Sequence, residues 1–197
     1  MTKTSFILCI IISLFSFINA NAQCFTENKV FSQNEDLRYK VFYNLGFIWV
    51  DAAEVVFNVS KAKINGKDTY HFYSYGRSYE KFDWILRVRD SYHSYIDATT
   101  LKPIKFIQKT EEGNYSTDYL YLFDHSTNRV YAEMENSDEP FHLDTISFPQ
   151  CTTDLLSAVY YSRNIEYEKY EINDKIPMKV IVDDKINNIY VRYLGKE

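Results

Sequence analysis

Residues 61–76 read KAKINGKDTYHFYSYG, and the dipeptide Asn65-Gly66 near their centre is a chain-reversal signal. Both central residues of a type I′ turn need positive φ, which asparagine and glycine tolerate best. The apolar and aromatic residues on either side make this a hairpin, with one strand ending near Lys63 and the next starting near Asp68. An antiparallel sheet follows from that. Moving towards the N-terminus, LRYKVFYNLGFIW places Leu37, Tyr39, Val41, Tyr43 and Leu45 on one face and Arg38, Lys40 and Asn44 on the other. A period of two is the pattern of a half-buried antiparallel strand. Gly46 marks a bend, after which FIWVDAAEVVFNV resumes an extended pattern.

The C-terminal direction repeats the theme. Glu112-Gly113-Asn114 reads as a second hairpin and His125 to Asn128 as a third turn, while Tyr115, Tyr119, Tyr121 and Phe123 share one strand face between them. In FDWILRVRDSYHSYID, residues 82–97, a short turn or helix is expected over Phe82 to Leu86 and a strand over Arg89 to Ile96, with the apolar residues entering the core. One segment breaks the pattern. TTDLLSAVYYSRN predicts a short amphipathic helix from about Thr153 to Arg163, with Thr152 or Thr153 as N-cap, Asp154 in the first turn and Asn164 at the end. Its apolar stripe is Leu155, Leu156, Val159 and Tyr160. Two further strands, IPMKVIVD and NIYVRYLG, join through Asp183-Asp184-Lys185. The chain shows no repeat, low-complexity tract or proline-rich linker, so residues 23–197 are read as one mainly β domain.

Residues 1–22 have the form of a secretory leader: Lys3, an apolar run from Phe6 to Ile18, and an A-x-A site at Ala20-Asn21-Ala22. The run is short of the roughly 20 residues that span a bilayer. Cleavage would leave 175 residues, take away Lys3 and move the net charge from −5 to −6. Export to the periplasm or an outer-membrane-associated location is the expectation, with no transmembrane segment after cleavage. An uncleaved anchor is the competing reading. The mature chain would keep Cys24 and Cys151, whose pairing in an oxidising compartment closes a 127-residue loop worth about 5 kcal/mol. A lipidated Cys24 is the alternative, against which Gln23 stands where such signals carry Gly, Ala or Ser.

The acidic balance excludes a nucleic-acid partner, which needs a basic patch. Aromatic content of 17%, with 18 tyrosines against nine glycines and prolines in total, favours strands and a sizeable core. His71, His93, His125 and His142 show no metal-binding spacing, and the two mature cysteines are too far apart for a zinc ribbon. No metal or cofactor is expected. No G-x-S-x-G elbow or phosphate loop occurs, and Ser157 lies inside the predicted helix without a neighbouring glycine. Arg87, Arg89 and Asp90 are expected to tie their strand to its neighbours through ion pairs and hydrogen bonds. On that expectation, Asp90→Ala costs about 1–3 kcal/mol if the group is buried and bonded. The aromatic load is the remaining signal, because each tyrosine or tryptophan offers a flat apolar area and a polar tip.

Four stretches, LRYKVFYNLGFIWVDAAEVVFNV, FDWILRVRDSYHSYIDATTLKPIKF, CTTDLLSAVYYSRNI and DKIPMKVIVDDKINNIYVRYLGKE, together resemble the domain-of-unknown-function family 3108 (DUF3108), especially its Bacteroidetes-type exported members. The resemblance covers most of the mature chain and implies an exported, sheet-rich domain without an agreed activity. There are two departures. Ala53 stands where members carry glycine, and the chain stops at Glu197 where members continue for several strands, as a truncated or a naturally short member would.

The fold expected is therefore a mainly β, antiparallel, curved sheet, an open or half barrel, with one short helix packed across it. Its shape resembles bacterial lipoprotein carriers, which is analogy at the level of fold. The first functional expectation is non-enzymatic binding of a lipid or other amphiphile on the concave face, with Trp49, Trp84, Tyr92, Tyr115, Tyr119 and Tyr121 as ligand-facing residues. An assembly factor that holds another envelope protein comes second. An envelope hydrolase using acids near Asp83 or Asp90 comes third.

Overall fold

The structure, a computed structural model, describes Cys24 and residues 27–196. The expected leader, residues 1–22, lies outside the described residues. Eight antiparallel strands run as an uninterrupted meander: β1 (Asp36–Leu45), β2 (Ile48–Ile64), β3 (Lys67–Ser78), β4 (Arg89–Asp97), β5 (Pro103–Glu112), β6 (Tyr115–Asp124), β7 (Arg129–Asn136) and β8 (His142–Ser147). β1 and β8 are its two edges, so the sheet is not closed. The turn at Asn65 (φ 50°) and Gly66 (φ 80°) has the expected type I′ signs. The predicted turns at Gly113-Asn114 and His125 to Asn128 also join the strands they separate.

Because side chains alternate along a strand, the register fixes which residues share a face. Val59, Phe72, Ser94, Phe106, Tyr121 and Ala132 lie side by side across β2 to β7. All six are buried, so theirs is the inner face. Across that face lies a second layer. β9 (Thr152–Asp154) leads directly into helix α1 (Leu155–Arg163), and β9 pairs in parallel with β10 (Lys175–Val182), which pairs with β11 (Lys185–Arg192). The β10–β11 pair is the one the sequence predicts; β9 is not, because three residues give no alternation to read. Otherwise the described residues form what the sequence predicts, an open, curved antiparallel sheet with one short helix packed across it.

The helix begins later than predicted. Asp154, not a threonine, is the N-cap, its Oδ1 accepting from the Ser157 N–H at 2.8 Å. The helix buries Leu156, Ser157, Tyr160 and Tyr161, and turns Leu155 and Val159 outward. The Tyr160 ring stacks on Phe72 at 3.9 Å, and Phe31 caps the pair edge-on at 5.1 and 5.7 Å. Arg163 grips Glu35 with both guanidinium nitrogens, at 2.5 and 3.0 Å. Asn164 takes the Lys29 N–H and donates to the Glu27 carbonyl, so the end of the helix holds the N-terminal strap. Cys24 and Cys151 are disulfide-bonded, with Cα atoms 5.0 Å apart.

Candidate functional site: an apolar rim

In a meander, every odd-to-even connection falls at one end of the sheet and every even-to-odd connection at the other. Among the described residues the exposed phenylalanine and tryptophan side chains follow this division, whereas Leu122, Tyr131, Ile172, Tyr190 and Leu194 are exposed elsewhere. The β1–β2 hairpin exposes Phe42, Tyr43, Phe47 and Trp49, with Phe47 93% and Trp49 67% exposed. The β3–β4 connection exposes Trp84 (81%), Ile85 and Leu86. Tyr115 follows the β5–β6 turn, and Phe141 and Leu143 flank the start of β8. At the opposite end, the turns at residues 65–66, 98–102 and 125–128 expose no large hydrophobic side chain; Leu101 there is buried.

Local geometry explains the protrusion. β2 pairs with β1 from Ile48 onward but with β3 only from Ala53, opposite Ser78. The Ala52 carbonyl still takes the Tyr79 N–H, so the first four residues of β2 extend past the body of the sheet, by about 13 Å at the rise of an extended strand. A register shift opposite Val41 and Phe42 leaves Ala52 unpaired with β1 and breaks the alternation of β2 just before its tip. The β3–β4 connection is braced rather than loose. Asp83 accepts from Arg89 at 2.6 Å and from the Ser78 hydroxyl at 2.5 Å, and these bonds hold its carboxyl below the usual carboxylate range. The Gly113 N–H reaches the Arg87 carbonyl at 2.7 Å, and a side chain at Gly113 would press on Leu86 at 3.3 Å.

The residues expected to face a ligand do not gather in one place. Trp49, Trp84 and Tyr115 lie on the rim. Tyr119 and Tyr121 are core, 3% and 0% exposed, and the Tyr121 hydroxyl donates to the Asp183 carbonyl at 2.5 Å. Tyr92 is half-buried on the inner face, where burial raises its hydroxyl to about 12. Trp84, Ile85 and Leu86 do not enter the core as expected, because the chain there has passed the end of the sheet. In the expected ion network, Arg89 pairs with Asp83 and Arg87 with Glu111 at 3.1 Å. Asp90 stands apart, receiving only the Glu111 N–H at 3.3 Å. Burial, and secondarily the charge of Glu112, raise its carboxyl to about 6.

Three arrangements were invisible in the sequence. Fully buried Asp154 also accepts at Oδ2 from the hydroxyls of Ser94 (2.7 Å) and Ser157 (2.8 Å), which lie 2.7 Å apart. A carboxylate with two serines suggests catalysis, but all three residues are closed to solvent and cannot meet a substrate. They lock α1 to β4. An Asp followed by Ser three positions later was the available cue for this N-cap. On the outer face, His71 Nε2 and His93 Nδ1 are 3.0 Å apart, and Ser60 Oγ lies 3.2 Å from His71 Nδ1. Burial, with His93 second, lowers His71 to about 4. Among the described residues no three side chains of His, Cys, Asp or Glu converge as a metal site. At the polar end, a cavity of about 370 Å³ lies beside the disulfide, with Leu101, Lys102, His125, Phe148 and Met178 in its wall. None of the six aromatic candidates lines it.

A family model described as "Protein of unknown function (DUF3108)" matches residues 38–197. The chain belongs to this family. The match runs from β1 to the C-terminus and so takes in the rim, Asp154 and both sheets of this DUF3108 member. No curated protein and no solved structure matches the chain. Among the described residues no helix is long and apolar enough to cross a membrane.

Proposed function

We propose that this protein is a non-enzymatic, exported cell-envelope protein whose aromatic rim holds an apolar or amphiphilic partner. The observation that carries the reading is that the exposed Phe and Trp side chains among the described residues, Phe42, Phe47, Trp49, Trp84 and Phe141, all lie at one end of the sheet. Large apolar side chains clustered at one end of a domain and left exposed mark interaction. The concave face is a poorer candidate, since Phe72, Ile96, Phe106 and Tyr121 are at most 1% exposed beneath α1 and the small sheet. Export is supported by the leader-like residues 1–22 and by the Cys24–Cys151 disulfide, a bond that persists in oxidising compartments.

The reading is tested by purifying the mature chain gently from its own envelope and comparing it with a Phe47→Ser/Trp49→Ser variant. Native mass spectrometry and denaturing extraction identify what each carries. The wild type should retain an amphiphile or an envelope protein that the variant has lost. A wild type that carries no more than the variant would overturn the proposal.

A further inference from the structure

We propose that the rim docks on a lipid bilayer, with the β1–β2 hairpin and the β3–β4 connection inserting side by side into its headgroup region. This rests on the rim being the interaction site and names its partner. The shape of the rim is the first argument. The apolar side chains sit on separate connections, the β1–β2 hairpin running past the β2–β3 pairing, rather than on a flat plate or in a groove. A folded protein would need a complementary surface between the tips, whereas fluid lipid fills any gap.

Chemistry is the second argument. Residues 42–50, FYNLGFIWV, carry no charge, and Asn44 is their one amide side chain. Tryptophan and tyrosine combine an apolar body with a polar edge and concentrate where a bilayer meets water. Both tryptophans of the chain, Trp49 and Trp84, lie on this rim and point to solvent.

Charge selects the kind of surface. Just behind the tips, Lys40 pairs with Asp51, Arg77 with Glu54, Arg87 with Glu111 and Arg89 with Asp83. These cations are already neutralised. Lys81 lies over the Phe82 ring, while Glu80, Asp90 and Glu112 have no cationic partner among the described residues, so the neighbourhood is slightly acidic. Such a rim has no excess positive charge with which to seek anionic lipid. It fits a zwitterionic surface entered by apolar contact. The bracing of Asp83 by Arg89 and Ser78 presets the second tip, so little ordering is lost on docking.

The two tryptophans make the test internal to the molecule. With phosphatidylcholine vesicles, the purified chain should float with the lipid and its emission should shift to the blue. Lipids brominated near the headgroup should quench it. Trp49→Phe and Trp84→Phe should each keep part of the shift, because each tip reports separately. Phe47→Asp should weaken vesicle binding about ten- to a hundredfold with an unchanged melting temperature, since Phe47 makes almost no contact with the body. Raising the salt should leave binding unchanged. Absence of binding and of a blue shift would overturn bilayer docking; if Phe47→Ser/Trp49→Ser still released a co-purified protein, the rim would survive as a protein-binding site. Binding confined to salt-sensitive association with phosphatidylglycerol vesicles would also overturn it. So would a lipid-free dimer dissolved by Phe47→Asp, which would identify a second copy as the occupant.

Discussion

Asp154→Ala should be among the most damaging single changes in this protein, and the structure gives the size of the effect. The carboxylate performs two tasks. It caps α1 through the Ser157 N–H, a role whose loss costs about 1 kcal/mol. It also accepts from the Ser94 and Ser157 hydroxyls in a site closed to solvent. Those hydroxyls keep each other at 2.7 Å, so one of them is left without an acceptor, at about 1–3 kcal/mol. The total is about 2–4 kcal/mol, or roughly 5–15 °C in melting temperature for a domain of this size. Asp154→Asn keeps the shape and the cap acceptor and should cost less than half as much. The two variants also separate packing from ionisation. Burial raises the Asp154 carboxyl, so the folded state holds its proton to higher pH than the unfolded chain does. That contribution is fully present below the unfolded value, about 3.9, and fades as the pH rises through the raised one. The advantage of wild type over Asp154→Asn should therefore be largest in acid and shrink towards neutrality. Urea unfolding of the oxidised chain at pH 4 to 8 measures it. An Ala variant within about 1 kcal/mol of wild type, or an advantage that grows with pH, would refute the assignment.

Two other groups give pH signatures of predictable sign. His71, lowered to about 4, binds fewer protons folded than unfolded, so stability should fall as the pH drops from about 6.5 to about 4 and then level off. The full shift corresponds to about 3 kcal/mol, of which solvent screening of a half-exposed ring leaves about 1–2; His71→Gln should flatten this limb of the urea midpoint curve, and an unchanged slope would count against the pair. Asp90, raised to about 6, contributes stability that is lost as the pH climbs from about 3.8 through 6. Asp90→Asn should then stabilise the fold at pH 7 by about 1 kcal/mol after the same screening discount and do little at pH 4, opposite to the cost expected of a residue in an ion network; a lower melting temperature at pH 7 would restore that network.

The sheet was legible wherever local chemistry dictates the backbone. Asn65-Gly66 in one hairpin and Gly113 in the other force reversals through positive φ, and each turn fixes the register of two strands. With register fixed, the alternation on β6 correctly put Tyr115, Tyr119, Tyr121 and Phe123 on one face. What stayed hidden depends on two strands at once. His71 and His93 are diagonal neighbours across β3 and β4, a relation that no spacing along the chain encodes. Asp154 becomes buried because Ser94, sixty residues earlier, lies opposite it. Its neighbours Thr152 and Thr153 look equally good as caps until β10 claims them as a strand.

The rim shows the same limit in its most consequential form. An apolar residue on an alternating strand is read as core because a neighbouring strand is assumed to lie beside it and a second layer above it. Both assumptions hold for Val59 and Phe72 and fail for Trp49, although all three occupy strands of ordinary β composition. The difference is length. β2 has 17 residues and β3 has 12, so beyond Ala52, whose carbonyl takes the Tyr79 N–H, the start of β2 is paired with β1 but not β3. At that end the second layer is also missing, because α1 and its small sheet lie over the body of the meander. Tyr119 and Trp49 are comparable aromatic residues that the sequence grouped together; the neighbouring strands and second layer that cover the one are missing at the other. The hairpin that carries this surface continues two strands, β1 and β2, that pair along their length. Its apolar side chains are presented to whatever lies beyond that end, which is the geometry that docking on a bilayer requires.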